Sequence, residues 1–205
     1  IAIFTCIIST IFVLSVAYSM SRMRFKMRKP FMNIAMIIGL FPSFMSMIAV
    51  YYILRALNLA DGAMIRVALI IVFSAGSGAG FYVAKGFFDT ISKSLDEAAI
   101  IDGATRWNVF TKITVPLSKP IIVYTILTSF MGPWVDFIFG KVICRADAQY
   151  YTVSIGLWKM LEKEYIDSWY TCFAAGAVVV SIPIAILFLM TQKFYVEGMT
   201  GAVKG

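Results

Sequence analysis

Long stretches without charged residues dominate the pattern of hydrophobic and polar positions along this chain. Asp, Glu, Lys and Arg are absent from residues 1–21, 30–54, 67–84, 120–135 and 168–192. An apolar helix needs about 20 residues to cross a hydrocarbon core about 30 Å thick. The pattern therefore predicts an all-α integral membrane protein that forms one domain over residues 1–205, with transmembrane helices at about 1–21, 31–54, 66–84, 120–142 and 169–192.

The composition agrees with a membrane protein. Hydrophobic residues make up 60% of the 205 positions and charged residues only 14%, whereas about a quarter of an average soluble domain is charged. Because the chain begins at Ile1 inside an apolar run, we expect that a sixth, more N-terminal span precedes the five. Cys6, Cys144 and Cys172 are dispersed and the sequence has no His, so no zinc site, disulfide framework or cofactor is predicted.

The distribution of basic residues predicts the orientation of the spans. Five basic side chains follow the first span directly: Arg22, Arg24, Lys26, Arg28 and Lys29. Under the positive-inside rule this segment is cytoplasmic, and alternation then places 85–119 and the 193–205 tail inside, with 56–65 and 143–168 outside. The net charge of +7 thus reflects topology and requires no nucleic-acid partner.

Small residues and prolines interrupt the spans. Pro42 predicts a kink in the second span, which can serve packing or act as a hinge. Gly76 and Gly80 in the third span have the small-xxx-small spacing that allows a neighbouring helix to approach closely.

Asp136 and the nearby Trp134 are the candidates for lining a polar pathway in the fourth span. A carboxylate within hydrocarbon is costly unless it faces a polar cavity or a partner. Asp136 lies about 24 Å along a helix from Pro120, at 1.5 Å per residue, which places it near the outer surface. Solvation of the carboxylate there explains its presence equally well.

The one long polar interval lies between the third and fourth spans. It carries five basic and four acidic residues between Lys85 and Lys119. Ser94-Leu95-Asp96-Glu97 fits a capping box, in which Ser and Glu side chains satisfy backbone N–H groups, and this predicts that a helix begins at Ser94. Leu95, Ala98, Ala99 and Asp102 then share one face of that helix.

Gly103 permits a sharp turn after this helix. A second short helix through Trp107 and Phe110 to Ile113 is expected to end at Pro116 and Pro120, before the fourth span. The interval is therefore predicted to be a cytoplasmic helix-turn-helix joined to membrane helices at both ends. It could transmit the movement of a docked partner, or it could be an ordinary amphipathic surface loop.

The spacing of this interval resembles the EAA signature of permease subunits of binding-protein-dependent ABC importers. The resemblance rests on Glu97-Ala98-Ala99, Gly103, Ile113 and Val115-Pro116, where the family usually has Leu in place of Val115. Segments 22–26, 86–91, 173–177 and 198–205 are similar to the carbohydrate-uptake branch, in particular to the smaller permease of maltose-type systems.

The resemblance implies a type I importer permease that works with a second permease, two ATP-binding cassette subunits and an extracytoplasmic sugar-binding protein. The residues implied to couple to the ATPase are Leu95, Glu97, Ala98, Ala99, Asp102 and Gly103, and those implied to contact it through the tail are Gly201, Lys204 and Gly205. Trp158, Glu162 and Tyr165 in the outer loop are implied to meet the sugar-binding protein. The imported cargo would be an oligosaccharide, and ATP hydrolysis would belong to the partners, because no Walker-type motif occurs here.

Two other classes of function remain open at this stage. An integral-membrane enzyme could use Asp136 with Asp89 or Asp102 as acid and base, but the predicted topology places these carboxylates on opposite sides of the membrane. A passive channel would need polar side chains along several spans, and the charge-free runs argue against that arrangement.

Overall fold

The structure is a computed structural model, and it describes residues 1–40, 43–76, 80–145, 148–162 and 165–202, with backbone alone at 43–44 and 195–202. The regular elements of this part of the chain are helical. Its first half contains α1 (Ala2–Arg22), α2 (Arg28–Gly39), α3 (Ser43–Ala56), α4 (Met64–Gly76), α5 (Phe81–Thr90) and α6 (Lys93–Ile101). Its second half contains α7 (Arg106–Val109), a π-helix (Phe110–Thr114), α8 (Val115–Leu117), α9 (Lys119–Val135), α10 (Ile138–Cys144), a 3₁₀ turn (Ala148–Tyr150), α11 (Val153–Lys159) and α12 (Ile166–Ala202).

Two helices among the described residues are long and apolar enough to cross a membrane without a break. They are Ala2–Arg22 and the Ile166–Phe194 part of α12. Two bent pairs raise the number of candidate spans to four: α4 with α5, inclined by 40°, and the segment Arg106–Leu117 with α9, bent by 84°. The predicted second span corresponds to α2 and α3, and its proposed kink at Pro42 lies outside the described residues.

Helix α1 is the centre of the bundle, because α4, α5 and α9 all pack against it. Its buried face carries mostly small side chains at every third or fourth position, including Ala2, Thr5, Ser9, Val13 and Ala17. Small side chains let helix backbones approach closely. The resulting van der Waals packing holds the helices together in lipid, where the hydrophobic effect does not drive their association.

At the glycine pair, where a close helix approach was predicted, the structure shows an ordinary van der Waals contact at one of the two positions. A Cβ added to Gly80 would lie 3.8 Å from a methyl group of Val13, so α1 passes directly over this glycine. A Cβ at Gly76 would meet no atom within 4 Å. Helix α5 therefore approaches α1 at Gly80.

The two C-terminal spans end at other positions than the sequence indicated. Helix α9 ends at Val135, where Asp136 adopts an extended conformation with ψ of 127°, and α10 begins separately at Ile138. The predicted span to 142 is thus two helices, separated at the extended backbone of Asp136. Helix α12 continues to Ala202, so the first part of the predicted tail is helical and continuous with the last span.

Candidate functional site

The glycine turn between α6 and α7 forms as predicted, and we call the segment Lys93–Val109 the α6–α7 corner. Gly103 has φ of +86°, in the left-handed region that L side chains rarely adopt. The N–H of Ala104 donates to the carbonyl of Ala99 at 2.9 Å, and the N–H of Gly103 donates to that of Ile100 at 3.0 Å. These two bonds are the Schellman arrangement, which satisfies the last carbonyls of a helix and reverses the chain.

The start of α6 differs from the prediction. Its N-cap is Ser92, whose hydroxyl oxygen accepts the N–H of Ser94 at 3.3 Å, so Ser94 lies inside the helix and the predicted capping box is wrong. Ser92 offers the same hydroxyl as Ser94, and the residue three positions later is Leu95, which has no carboxylate to complete a box. Glu97 is consequently left exposed on the helix surface.

The second half of the interval also continues further than the sequence suggested. Thr105 caps α7 by accepting the N–H of Asn108 at 3.2 Å, and the chain then stays helical through the π-helix to Leu117. Pro116 does not end this helical segment and lies where the π-helix passes into α8. The sharp bend into the membrane falls at Ser118, between α8 and α9.

An ion pair fixes the α6–α7 corner to the end of α1. Arg22 Nε lies 3.0 Å from Asp96 Oδ2, and the two side chains are only 5% and 13% exposed. Arg22 Nη2 also donates to the carbonyl of Ile91 at 2.9 Å. Removing one partner of such a buried pair leaves an uncompensated charge, which typically costs about 3–5 kcal/mol. The pair therefore ties the movement of α6 to that of α1.

Further polar contacts extend this attachment to α5 and α7. The Ser21 hydroxyl donates to Asp89 Oδ1 at 2.6 Å, and Asp89 also pairs with Lys85. The Tyr18 hydroxyl donates to the carbonyl of Arg106 at 3.3 Å. The C-terminal turns of α1 thus hold three consecutive elements of the predicted cytoplasmic interval.

Several large apolar side chains of the α6–α7 corner are exposed. Ile101 is 86% exposed, Trp107 68% and Leu95 46%, although the interval around them is the most polar part of the chain. Ala98, Asp102 and Gly103 are exposed on the same corner, whereas Ala99 is half-buried. Large apolar side chains that are exposed on an otherwise polar segment are typical of an interaction surface.

Three features of the α6–α7 corner were not predicted from the sequence as parts of the site: Ile101, Trp107 and the Arg22–Asp96 pair. Ile101 precedes the glycine turn, and a large apolar side chain at the end of a polar helix is a signal that could have identified it. Nothing in the local sequence pairs Arg22 with Asp96, because their contact depends on the tertiary packing of α1 against the corner.

The three outer-loop candidates lie in or beside α11 at the opposite end of the bundle. Trp158 is half-exposed with its ring 5.0 Å from that of Phe137, and Glu162 forms an exposed ion pair with Lys141 at 3.5 Å. Tyr165 and Trp169 line a cleft of about 260 Å³ between α11 and the start of α12. The loop therefore presents aromatic and polar groups together, and its contact with a partner stays a prediction.

The two pathway candidates have structural partners. The Asp136 carboxylate accepts the N–H of Gly140 at 2.7 Å, so it binds the first turn of α10 from a position just before that helix. Trp134 Nε1 donates to the carbonyl of Val180 at 3.1 Å and thereby joins α9 to α12. A role in a pathway stays a prediction for both residues. Of the tail residues, Gly201 lies in α12, and Lys204 and Gly205 lie outside the described residues.

Known proteins resemble this chain over nearly its whole length. It is 36% identical over 207 residues to the galactooligosaccharides transport system permease protein GanQ of Bacillus subtilis, covering 100% of this chain and 71% of that protein. It is 34% identical over 198 residues to the maltose/maltodextrin transport system permease protein MalG of Vibrio vulnificus, covering 92% of this chain and 64% of that protein.

A solved structure shares the fold. A crystal structure of a bacterial ABC transporter involved in the import of the acidic polysaccharide alginate superposes with a TM-score of 0.76 at 26% identity, covering 95% of this chain and 71% of that one. The predicted type I permease fold is thereby confirmed. The relatives are permease subunits of sugar transporters and not enzymes, so the membrane enzyme considered above is excluded.

The sequence also matches, over residues 6–199, the family described as binding-protein-dependent transport system inner membrane component. This match covers most of the chain, and the identities to sugar-transport permeases agree with it. The chain therefore belongs to the family of inner membrane components of binding-protein-dependent transport systems.

Proposed function

We propose that this chain is a transmembrane permease subunit of an ATP-driven oligosaccharide importer in a bacterial cytoplasmic membrane. It forms the translocation pathway together with a second permease. Two ATP-binding cassette subunits drive it through the α6–α7 corner, and an extracytoplasmic sugar-binding protein delivers cargo to the outer loop around Trp158, Glu162 and Tyr165. The names of the relatives, which transport galactooligosaccharides and maltodextrins, support an oligosaccharide as cargo.

The observation that carries the proposal is the exposed apolar surface of the corner. Ile101, Trp107 and Leu95 are large apolar side chains that lie exposed on the α6–α7 corner. Burial of one such side chain in a partner contributes about 1.5–3 kcal/mol. A cleft in an ATPase subunit could therefore bind this corner and move it as a unit.

The packing beneath the surface supports transmission of that movement. Arg22 and Asp96 attach the corner to α1, which contacts α4, α5 and α9. The helical connection through Leu117 leads directly into α9. A displacement at Ile101 would consequently reach the centre of the bundle through side chains and through the backbone. Rigid movement of helices in this manner would alternate access to the pathway.

The proposal is tested by making the surface polar. In a transporter reconstituted with the partners encoded beside its gene, Ile101→Asp should abolish co-purification of the ATPase subunit and ATP-dependent sugar uptake. Leu57→Asp is the matched control, because Leu57 is 62% exposed beyond the end of α3, on the predicted outer side. ATPase association and uptake that Ile101→Asp leaves normal would refute the proposed docking surface.

The cargo is tested by transport itself. Cells that lack this gene should lose uptake of either labelled maltodextrins or labelled galactooligosaccharides and regain it on complementation. Unchanged uptake of every oligosaccharide tried, together with loss of another solute, would refute the substrate class while leaving the coupling surface intact.

A further inference from the structure

A strongly basic cleft lies beside the α6–α7 corner. Its volume is about 430 Å³, and it opens between the segment that follows α1 and helices α6 and α7. The charged residues that line this basic cleft are Arg22, Arg24, Arg28, Lys93, Arg106, Asp96 and Glu97. A cavity of this size is in the range of small-molecule sites.

The charges in the basic cleft do not balance. Arg22 is neutralised by Asp96 at 3.0 Å, which leaves Arg24, Arg28, Lys93 and Arg106 against the single carboxylate of Glu97. Among the described residues no ion pair is formed by these four cations. Guanidinium groups present several N–H donors in a plane and bind phosphate oxygens in pairs. The cleft therefore has the charge and the donors for a phosphate group.

The segment beside the basic cleft alternates basic and apolar residues. Its sequence from Arg22 to Lys29 is Arg-Met-Arg-Phe-Lys-Met-Arg-Lys, and Phe25 and Met27 are 42% and 61% exposed. Exposed apolar side chains between cations at the end of a membrane helix are typical of a segment in the headgroup region. This position favours a lipid as the source of the phosphate.

We propose that the basic cleft binds the phosphate of an acidic phospholipid headgroup, with Arg24 and Arg28 on one side and Lys93 and Arg106 on the other. The bound phosphate bridges the start of α2 to the α6–α7 corner. It thereby joins the corner to the membrane surface as well as to α1. The proposal rests on the predicted cytoplasmic orientation of this end of the bundle and does not depend on ATPase docking.

The test measures lipid binding to the purified full chain in neutral detergent by native mass spectrometry. The probe is phosphatidylglycerol, and phosphatidylcholine is the uncharged comparison. Each cation near a membrane surface contributes about fivefold in affinity, so Arg24→Gln/Arg28→Gln should weaken phosphatidylglycerol binding about 25-fold. Lys26→Gln/Lys29→Gln is the matched control, because it removes the same charge from the same segment but outside the lining of the cleft.

The outcomes distinguish a site from general surface charge. Selective loss in the Arg24/Arg28 variant supports the site, whereas equal loss in both double variants, or loss in neither, overturns it. If the arginine variant misfolds, Lys93→Gln on α6 should still weaken binding about fivefold, and unchanged binding would overturn the proposal. Inorganic phosphate and glycerol phosphate are added as competitors: if millimolar amounts displace the lipid, the phosphate site stands but its ligand is a soluble anion, which refutes the lipid source.

Discussion

Substitution of Gly103 tests how the α6–α7 corner works, because its cost arises from the backbone alone. Gly103 has φ of +86°, and a Cβ added there would meet no atom within 4 Å. An alanine whose φ lies in the left-handed region costs about 1–2 kcal/mol. The population of the turn, relative to conformations with negative φ at this position, should therefore fall about 5- to 30-fold. Asparagine tolerates this region better than alanine does and should cost less.

Proline at the same position should have a much larger effect. It fixes φ near −65° and has no N–H, whereas the Gly103 N–H donates to the Ile100 carbonyl at 3.0 Å. The turn observed here cannot form with proline. We therefore expect sugar uptake to decrease in the order Gly103→Asn, Gly103→Ala, Gly103→Pro, with no uptake in the last variant.

The assay is ATP-dependent oligosaccharide uptake by the reconstituted transporter, with the sugar affinity of the binding protein measured separately and expected to stay unchanged. Gly62→Ala is the matched control, since Gly62 also has positive φ (+58°) and open space around its Cβ position, but lies in the predicted outer turn. Normal uptake by Gly103→Pro, or equal losses in the Gly103→Ala and Gly62→Ala variants, would show that transport does not depend on the left-handed turn at Gly103.

Three further changes test other contacts. Asp96→Asn should lower the free energy of unfolding by about 3 kcal/mol, because it leaves the buried Arg22 guanidinium without its counter-charge; chemical denaturation in detergent measures this, and unchanged stability would contradict it. Trp134→Phe removes the N–H donated to the Val180 carbonyl and should cost about 1 kcal/mol, seen as a lower Tm. An unchanged Tm would show that this bond does not stabilise the packing of α12 on α9. Deletion of residues 199–205 should impair sugar-stimulated ATP hydrolysis by the assembled transporter, and full stimulation without them would refute the proposed tail contact.

The hydrophobic pattern predicted the helices well, for a physical reason. In lipid a backbone must satisfy its own hydrogen bonds, so a long charge-free run has almost no alternative to a helix. Ala2–Arg22 and Ile166–Phe194 accordingly match the predicted first and last spans within a few residues. The glycine turn was also predictable, because a left-handed residue after a helix is usually Gly.

The ends and bends of the helices depend on contacts that the local pattern does not contain. Ser92 and Ser94 are chemically equivalent as caps, so the sequence could not choose between them. Asp136 was expected within a span, but it lies between α9 and α10, where its carboxylate accepts the N–H of Gly140.

The contacts that hold the α6–α7 corner to the rest of the bundle were even harder to predict from the sequence. Arg22 belongs to a basic cluster that the positive-inside rule already explains, so nothing in the sequence assigns it a partner. Its ion pair with Asp96 forms because α1 packs against α6. The exposure of Ile101 likewise follows from the direction in which the turn points.

Site-specific photo-crosslinking tests the central claim, docking of the α6–α7 corner on an ATPase subunit, most directly. A photoreactive amino acid replaces Ile101 in the assembled transporter, and the same amino acid replaces Trp158 as a half-exposed control at the other end of the bundle. We expect an adduct with the ATPase subunit from position 101 and none from position 158. No ATPase adduct from position 101 in a complex that contains that subunit, or an ATPase adduct from position 158, would contradict it.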